Sequence, residues 1–180
     1  MDKKPVISVD NALIKIVVDK ENTSPEHIVK LTLHVHSHAE IFTCNNGEIT
    51  IEFPQKTITL YPNDGVIIPP SMPHNRINRD KEIDINAIGL VCSEINCQSE
   101  YDLYTIISNY LNGNNIVVFR NKPEFCSAVD NILKNKNNPN KLILSLSLVT
   151  ELCKLFSSDD CTIENLKVKK ETNVKNIDRL

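Results

Sequence analysis

The sequence has no apolar run approaching the roughly 20 residues that cross a bilayer. Its opening, MDKKPVISVD, is too polar for a signal peptide. A cytoplasmic protein with no membrane partner is therefore the expectation. The chain also lacks any C-x-x-C pair: Cys44, Cys92, Cys97, Cys126, Cys153 and Cys161 stand in apolar contexts, without the cysteine–histidine spacing of a zinc finger. They read as reduced thiols. A basic face is missing too. Net charge is −3 and pI about 6.0, and the lysines and arginines are scattered apart from the tail Lys167–Lys175. This argues against a grip on nucleic acid by this chain alone.

What is present suffices for one good core. The chain has 180 residues, 41% of them hydrophobic, enough for a single domain with a small helical extension. Short apolar runs at 12–18, 27–36, 40–44, 48–53, 57–61, 65–69 and 83–91 read as strands. Turn signals separate them at Asn45-Asn46-Gly47, Pro54-Gln55-Lys56 and Pro62-Asn63-Asp64-Gly65. Many short strands at close spacing predict a sandwich or barrel, in which sheet edges are closed or covered. Residues 101–111 suit a short helix and Ile116–Phe119 a further strand.

Near residue 120 the period changes. Pro123 opens a helix with Glu124 in its first turn, stopped by the Asn-Pro-Asn loop at 138–140. A second helix runs from about Lys141 to Ser157, with an apolar arc covering more than half its circumference. Leu142, Leu146, Val149, Cys153 and Phe156 form one stripe; Leu144, Leu148, Leu152 and Leu155 form the next. An arc so broad needs two apolar neighbours. The first stripe has the spacing of a coiled-coil seam and is the candidate dimer contact; the alternative is that both stripes pack within one monomer.

The chemistry concentrates in HVHSHAEIFTCNNG, residues 34–47. Odd positions Val29, Leu31, Leu33 and Val35 are apolar while Thr32, His34 and His36 are polar, so the strand has two different faces. Exposed alternation would leave the histidines outside. A barrel covered by helices would instead turn them into its lumen. Three imidazoles and a carboxylate are a sound donor set for divalent transition metals.

His34-Val35-His36, three residues, Glu40, six residues and Gly47 resemble the first motif of the cupin superfamily. Asn63, five residues, Pro69-Pro70-Ser71, two residues, His74, three residues and Asn78 are similar to the second, with Asn63 and Ser71 in place of its two glycines. Asn tolerates the positive φ of a turn glycine. The run from His38 to Arg76, with its I-P-P-x-x-P-H ending, looks like the N-terminal sensor domain of AraC-family transcription regulators.

The resemblance implies a mainly β fold, a cupin-like double-stranded β-helix (jelly-roll) barrel followed by a helical hairpin packed on it. It divides the chain into an arm at 1–10, a candidate lid over the ligand or else plain disorder, a ligand-binding barrel at 11–120, a helical dimerisation segment at 121–160, and a linker at 161–180 toward a helix-turn-helix DNA-binding domain that this chain lacks. It implies a homodimer whose small-molecule effector meets His34, His36, His38, Glu40 and His74; a polar, His-rich lumen suits a sugar, a carboxylate or another hydroxylated metabolite, without excluding an apolar effector. DNA is contacted only through the missing domain. On this reading the protein is not an enzyme and requires no cofactor. The rival is a free-standing metal cupin, an isomerase, oxygenase or binding protein, with His34, His36, Glu40 and His74 as ligands of a divalent transition metal.

Overall fold

The computed structural model describes residues 7–10, 14–18, 33–78, 83–92, 107, 109–111, 113–135, 141–157, 161–164 and 175–176. Its strands are β1 (Ile7–Asp10), β2 (Ile14–Val18), β3 (His34–Val35), β4 (Ala39–Asn46), β5 (Ile49–Phe53), β6 (Lys56–Leu60), β7 (Gly65–Ile68), β8 (Asn75–Asn78), β9 (Asp84–Cys92), β10 (Ile116–Phe119), β11 (Cys161–Glu164) and β12 (Lys175–Asn176). Two helices, α1 (Pro123–Lys134) and α2 (Lys141–Ser157), lie between β10 and β11. Ile107 and residues 109–111 are helical as well, inside the short helix expected at 101–111.

The strands form a seven-stranded sheet in the order β1-β2-β9-β4-β7-β10-β11 and a three-stranded sheet in the order β6-β5-β8. Their pairings are antiparallel. β12 runs parallel to β3, and β3 joins β8 through a bridge between His34 and His74. Period-two alternation along β4 assigns its residues to opposite faces. Phe42 and Cys44 enter the cluster with Ile49, Ile51, Val66, Ile68 and Val118. Ala39 and Ile41 enter the other, with Ile67, Ile88, Val117 and Phe119.

The helices cover that second face, α1 lying over β4 and β9 and α2 over β1 and β2. Phe125, Val129 and Ile132 of α1 and Leu148, Val149, Leu152, Leu155 and Phe156 of α2 complete the cluster. Two aromatic contacts lock it: Phe119 meets Phe125 edge-on at 4.6 Å between centroids, and Tyr110 stacks on Phe156 at 4.1 Å. β7 approaches β10 through Gly65, where an added Cβ would lie 2.1 Å from the Phe119 ring.

Four segments differ from the expectations. Residues 7–10, assigned to an arm, pair with β2 at the sheet edge. Residues 161–164, assigned to a linker, pair with β10. Residues 175–176, in the same expected linker, form a strand that pairs with β3. β8 was not foreseen, because Asn75-Arg76-Ile77-Asn78 offers one apolar residue to a pattern search. Residues 27–32 of the expected 27–36 strand lie outside the described residues.

The candidate dimer stripe is divided. Val149 and Phe156 are buried in the core of the monomer, and Cys153 packs against it. Leu146 is 47% exposed and its neighbour Ile143 64%; the Leu142 side chain lies outside the described ones. Among the described residues no helix is long and apolar enough to cross a membrane.

Candidate functional site

His34 on β3 and His36 just past its end lie against His74, their ring centroids 4.5 and 5.4 Å from its own. The His34–His74 bridge, with backbone hydrogen bonds of 2.9 and 3.0 Å, ties the strand carrying the first histidines to the start of β8. Ser71 donates its N–H to the His36 carbonyl at 2.8 Å, which fixes the loop before His74 on the same strand. Both residues standing where the motif has glycine adopt positive φ, Asn63 at 69° and Ser71 at 61°. The turn geometry thus survives both replacements, at the conformational cost of a left-handed non-glycine residue.

One donor atom from each of His34, His36, Glu40 and His74 lies within 4.8 Å of the other three. Nitrogen and oxygen ligands about 2.1 Å from an ion sit roughly 3–4.2 Å from one another, so a small contraction brings this set to coordination distance. His38 stands beside the set: its ring centroid is 5.0 Å from that of His36, and it is not among the four. His34 and His74 are buried, while His36, His38 and Glu40 are partly buried.

The tautomer of His74 follows from its partners. Its Nδ1 lies 2.9 Å from the Met72 carbonyl oxygen, which can only accept, so Nδ1 carries the hydrogen. Nε2 then faces Glu40 Oε2 at 2.8 Å. A bare ring nitrogen and a carboxylate oxygen repel at that distance; a second ring proton or a cation removes the repulsion. Glu40 also stands 3.4 Å from His36 Nε2. Burial raises the Glu40 carboxyl, but hydrogen bonds to His36 and His74, and the charge those rings can carry, outweigh it and hold the group well below the usual carboxylate range. The Met72 carbonyl orients the ring as outer partners of metal-binding histidines do.

Around this polar cluster the interior is apolar. The rings of Phe42 and Phe53 lie 6.2 and 6.5 Å from that of His74. Pattern reading missed these two aromatics and Met72; the alternation of β4 and β5 carried the signal for the rings, whereas a backbone carbonyl leaves none. Cys44, close in sequence, points into the same interior as a packed thiol. Burial pushes it up to about 11, and its Sγ meets the carbonyls of Asn46 and Gly47, which makes it no nucleophile. His27 and Arg79 lie outside the described residues.

Three solved structures give the measure of similarity. A cupin-2 domain protein from Shewanella frigidimarina is 22% identical, with a TM-score of 0.30, over 48% of this chain and 74% of its own. Fatty-acid-bound ToxT from Vibrio cholerae is 12% identical, with a TM-score of 0.44, over 84% of this chain and 60% of its own. A sugar phosphate isomerase from a cupin superfamily, from Silicibacter pomeroyi, is 14% identical, with a TM-score of 0.31, over 59% of this chain and 60% of its own. No curated protein matches the chain. The fold is mainly β, a cupin-like barrel with helices on its C-terminal side, and a family model described as a cupin domain matches residues 22–88, the stretch that carries all four converging side chains.

Proposed function

We propose that the chain is the effector-sensing and dimerisation module of an AraC-type transcriptional regulator, binding a small molecule in the barrel without turning it over. The observation that carries the binding role is the convergence of three imidazoles and a carboxylate at one end of an otherwise apolar interior. Buried polar groups are costly unless they have partners. A cluster of them beside Phe42 and Phe53 is an arrangement suited to a ligand. The regulator assignment rests on the resemblance of residues 38–76 to the sensor domains and on the helical pair that follows the barrel.

In this mechanism His34, His36 and His74 donate or accept hydrogen bonds to the effector, Glu40 balances their charge, and β3 carries the change outward. A ligand preferring one arrangement of β3 by a few kcal/mol shifts the population by that amount. Subunits meet through the outward side of α2, where Ile143 and Leu146 are exposed.

The second reading, a metal cupin, draws on the His74 contact, which a cation would relieve. The donor set fits a divalent transition metal held by His34, His36, Glu40 and His74. Such an ion supplies Lewis acidity and a fixed anchor for a ligand oxygen.

Native mass spectrometry of the purified chain, compared with its denatured mass, tests both readings. A metal-free dimer carrying a small organic molecule is the expected result. One metal per chain with turnover of a screened substrate would overturn the sensor assignment. His36→Ala should weaken effector binding at least tenfold with a stability change under about 1 kcal/mol, as for a partly buried side chain outside the packed core.

A further inference from the structure

We infer that the C-terminal segment at Lys175–Asn176 is a strap on β3, and that its seating there and the filling of the site at His34, His36, Glu40 and His74 favour one another. This coupling rests on reading those four side chains as a site. The backbone of β3 serves two neighbours. His34 exchanges both of its hydrogen bonds with His74, at 2.9 and 3.0 Å, and the His36 carbonyl accepts the Ser71 N–H at 2.8 Å. Successive residues of a strand turn their backbone groups to opposite sides, so Val35 between them points its N–H and C=O the other way.

β12 lies on that other side. It runs parallel to β3, with Lys175 opposite His34 and Asn176 opposite Val35. In a parallel ladder one residue of each opposed pair bonds to the residues flanking its partner, while the partner's own groups turn away. His34 is turned away, toward β8, so Lys175 is the residue that bonds across, and its carbonyl is placed to accept the Val35 N–H. The Asn176 backbone N–H points away from β3 by the same alternation. β3 is thus held between β8 and β12, and the C-terminal segment closes its edge.

The strap and the site share this strand. Glu40 belongs to β4, which is paired on both sides, with β7 and β9, and so is the fixed member of the set. His34 belongs to a strand of two residues, and His36 stands just past its end. The four donor atoms lie within 4.8 Å of one another, so closing them on a ligand draws on β3. A β3 bonded along both edges is ordered before the ligand arrives, which lowers the ordering cost of binding. Linkage makes the effect reciprocal: whatever fills the site tightens the strap. On the regulator reading, residues 161–180 lead toward the DNA-binding domain, and the strap passes the state of the site along the chain.

The test uses the whole chain, with zinc affinity as the probe of the site and hydrogen exchange of the Val35 amide as the probe of the strap. Lys175→Pro removes the backbone N–H of the residue that bonds to β3. Asn176→Pro removes one that points away and leaves Lys175 in an extended conformation, and Lys175→Ala removes none. Lys175→Pro should speed Val35 exchange at least tenfold and weaken zinc binding at least fivefold, with melting temperature showing a folded chain. Both other variants should stay within twofold on each measure. In the unaltered chain zinc should slow Val35 exchange at least threefold. An unchanged Val35 amide in Lys175→Pro would overturn the strap, and equal losses in Asn176→Pro would overturn its register. A freed amide with zinc affinity unchanged or raised, or zinc that binds without slowing that amide, would overturn the coupling while leaving the site standing. No zinc binding by the unaltered chain would overturn the reading of the four side chains as a site, and the coupling with it.

Discussion

β4 serves two interiors built on different terms. On its helix-covered face Ala39 and Ile41 join a cluster of Phe119, Phe125, Val129 and Leu152 in which side chains mainly fill space. On its other face Phe42 and Cys44 begin as apolar packing, but Glu40 closes the row among three imidazoles. The first interior is sealed by α1 and α2, so it can hold the fold. The second gives up packing at one end for polar groups that a folded core does not need. With binding placed as proposed, stability and binding fall on opposite faces of one strand, and substitutions on the two faces should separate them.

The largest effect is expected within the sealed interior, where α2 meets the sheet. Val149 is 4% exposed and Leu146 47%, although both belong to the same stripe. Val149→Glu would bury an unpaired carboxylate and should cost about 4 kcal/mol or more in urea denaturation. Leu146→Glu should change stability by under about 0.5 kcal/mol while shifting a dimer to monomer in light scattering. If both variants unfold alike, the division of the stripe is wrong. If Leu146→Glu stays dimeric, α2 is not the contact.

Next comes the junction of the two interiors at Gly65. A Cβ there would stand 2.1 and 2.3 Å from Phe119 ring atoms and 2.8 Å from the Phe42 carbonyl oxygen. Gly65→Ala should therefore destabilise by roughly 3 kcal/mol, the upper range for overpacking. Phe119→Leu in the same chain should return part of that loss, because the ring supplies the two nearest clashes. Absence of any rescue would place the strain in the backbone.

Much of this division was legible in the residues, and the parts that were not have physical reasons. Period-two alternation and the Asn-Gly and Asn-Asp turns mark β4 to β7 and β9, since half-buried strands with tight turns write their pattern locally. The spacing of His34, His36, Glu40 and His74 also reads directly, because all four are held by neighbouring strands and one turn. The direction of the histidines does not: Leu33 and Val35 would suit a core as well as the His face does, and only the covering sheet decides. β8 hides because its inward residues are polar, and β11 because its partner β10 lies more than forty residues earlier. On α2 the angles between apolar stripes are fixed by the sequence, but which stripe meets the sheet is a property of the sheet.

A smaller effect would sharpen the comparison from the sealed side. Thr43 and Asn86 lie opposite each other on β4 and β9, both buried, and Thr43 Oγ1 and Asn86 Nδ2 have no hydrogen-bond partner among the described residues. Thr43 alternates with Phe42 and Cys44, which puts it on the helix-covered face. A buried hydroxyl without a partner costs about 1–3 kcal/mol relative to a satisfied one. Thr43→Val keeps the shape and removes the hydroxyl, so it should raise stability by about 1 kcal/mol. A loss of similar size would mean that water completes these two groups.

The smallest effect tests whether the polar end carries strain of its own. Ser71 sits at φ 61° in the loop that leads to His74, with its N–H bound to the His36 carbonyl. A left-handed backbone at a residue with a Cβ costs roughly 1–2 kcal/mol, and glycine returns part of that through the entropy of the unfolded chain, about 0.5–1 kcal/mol. Ser71→Gly should therefore stabilise by no more than about 1 kcal/mol, measured by urea denaturation. The backbone hydrogen bond to His36 does not depend on the side chain, so zinc affinity measured by titration should stay within twofold. A large change in affinity with little change in stability would show that the strain at Ser71 holds the imidazoles in place, and that the polar end is set by its loop rather than by the sheets around it.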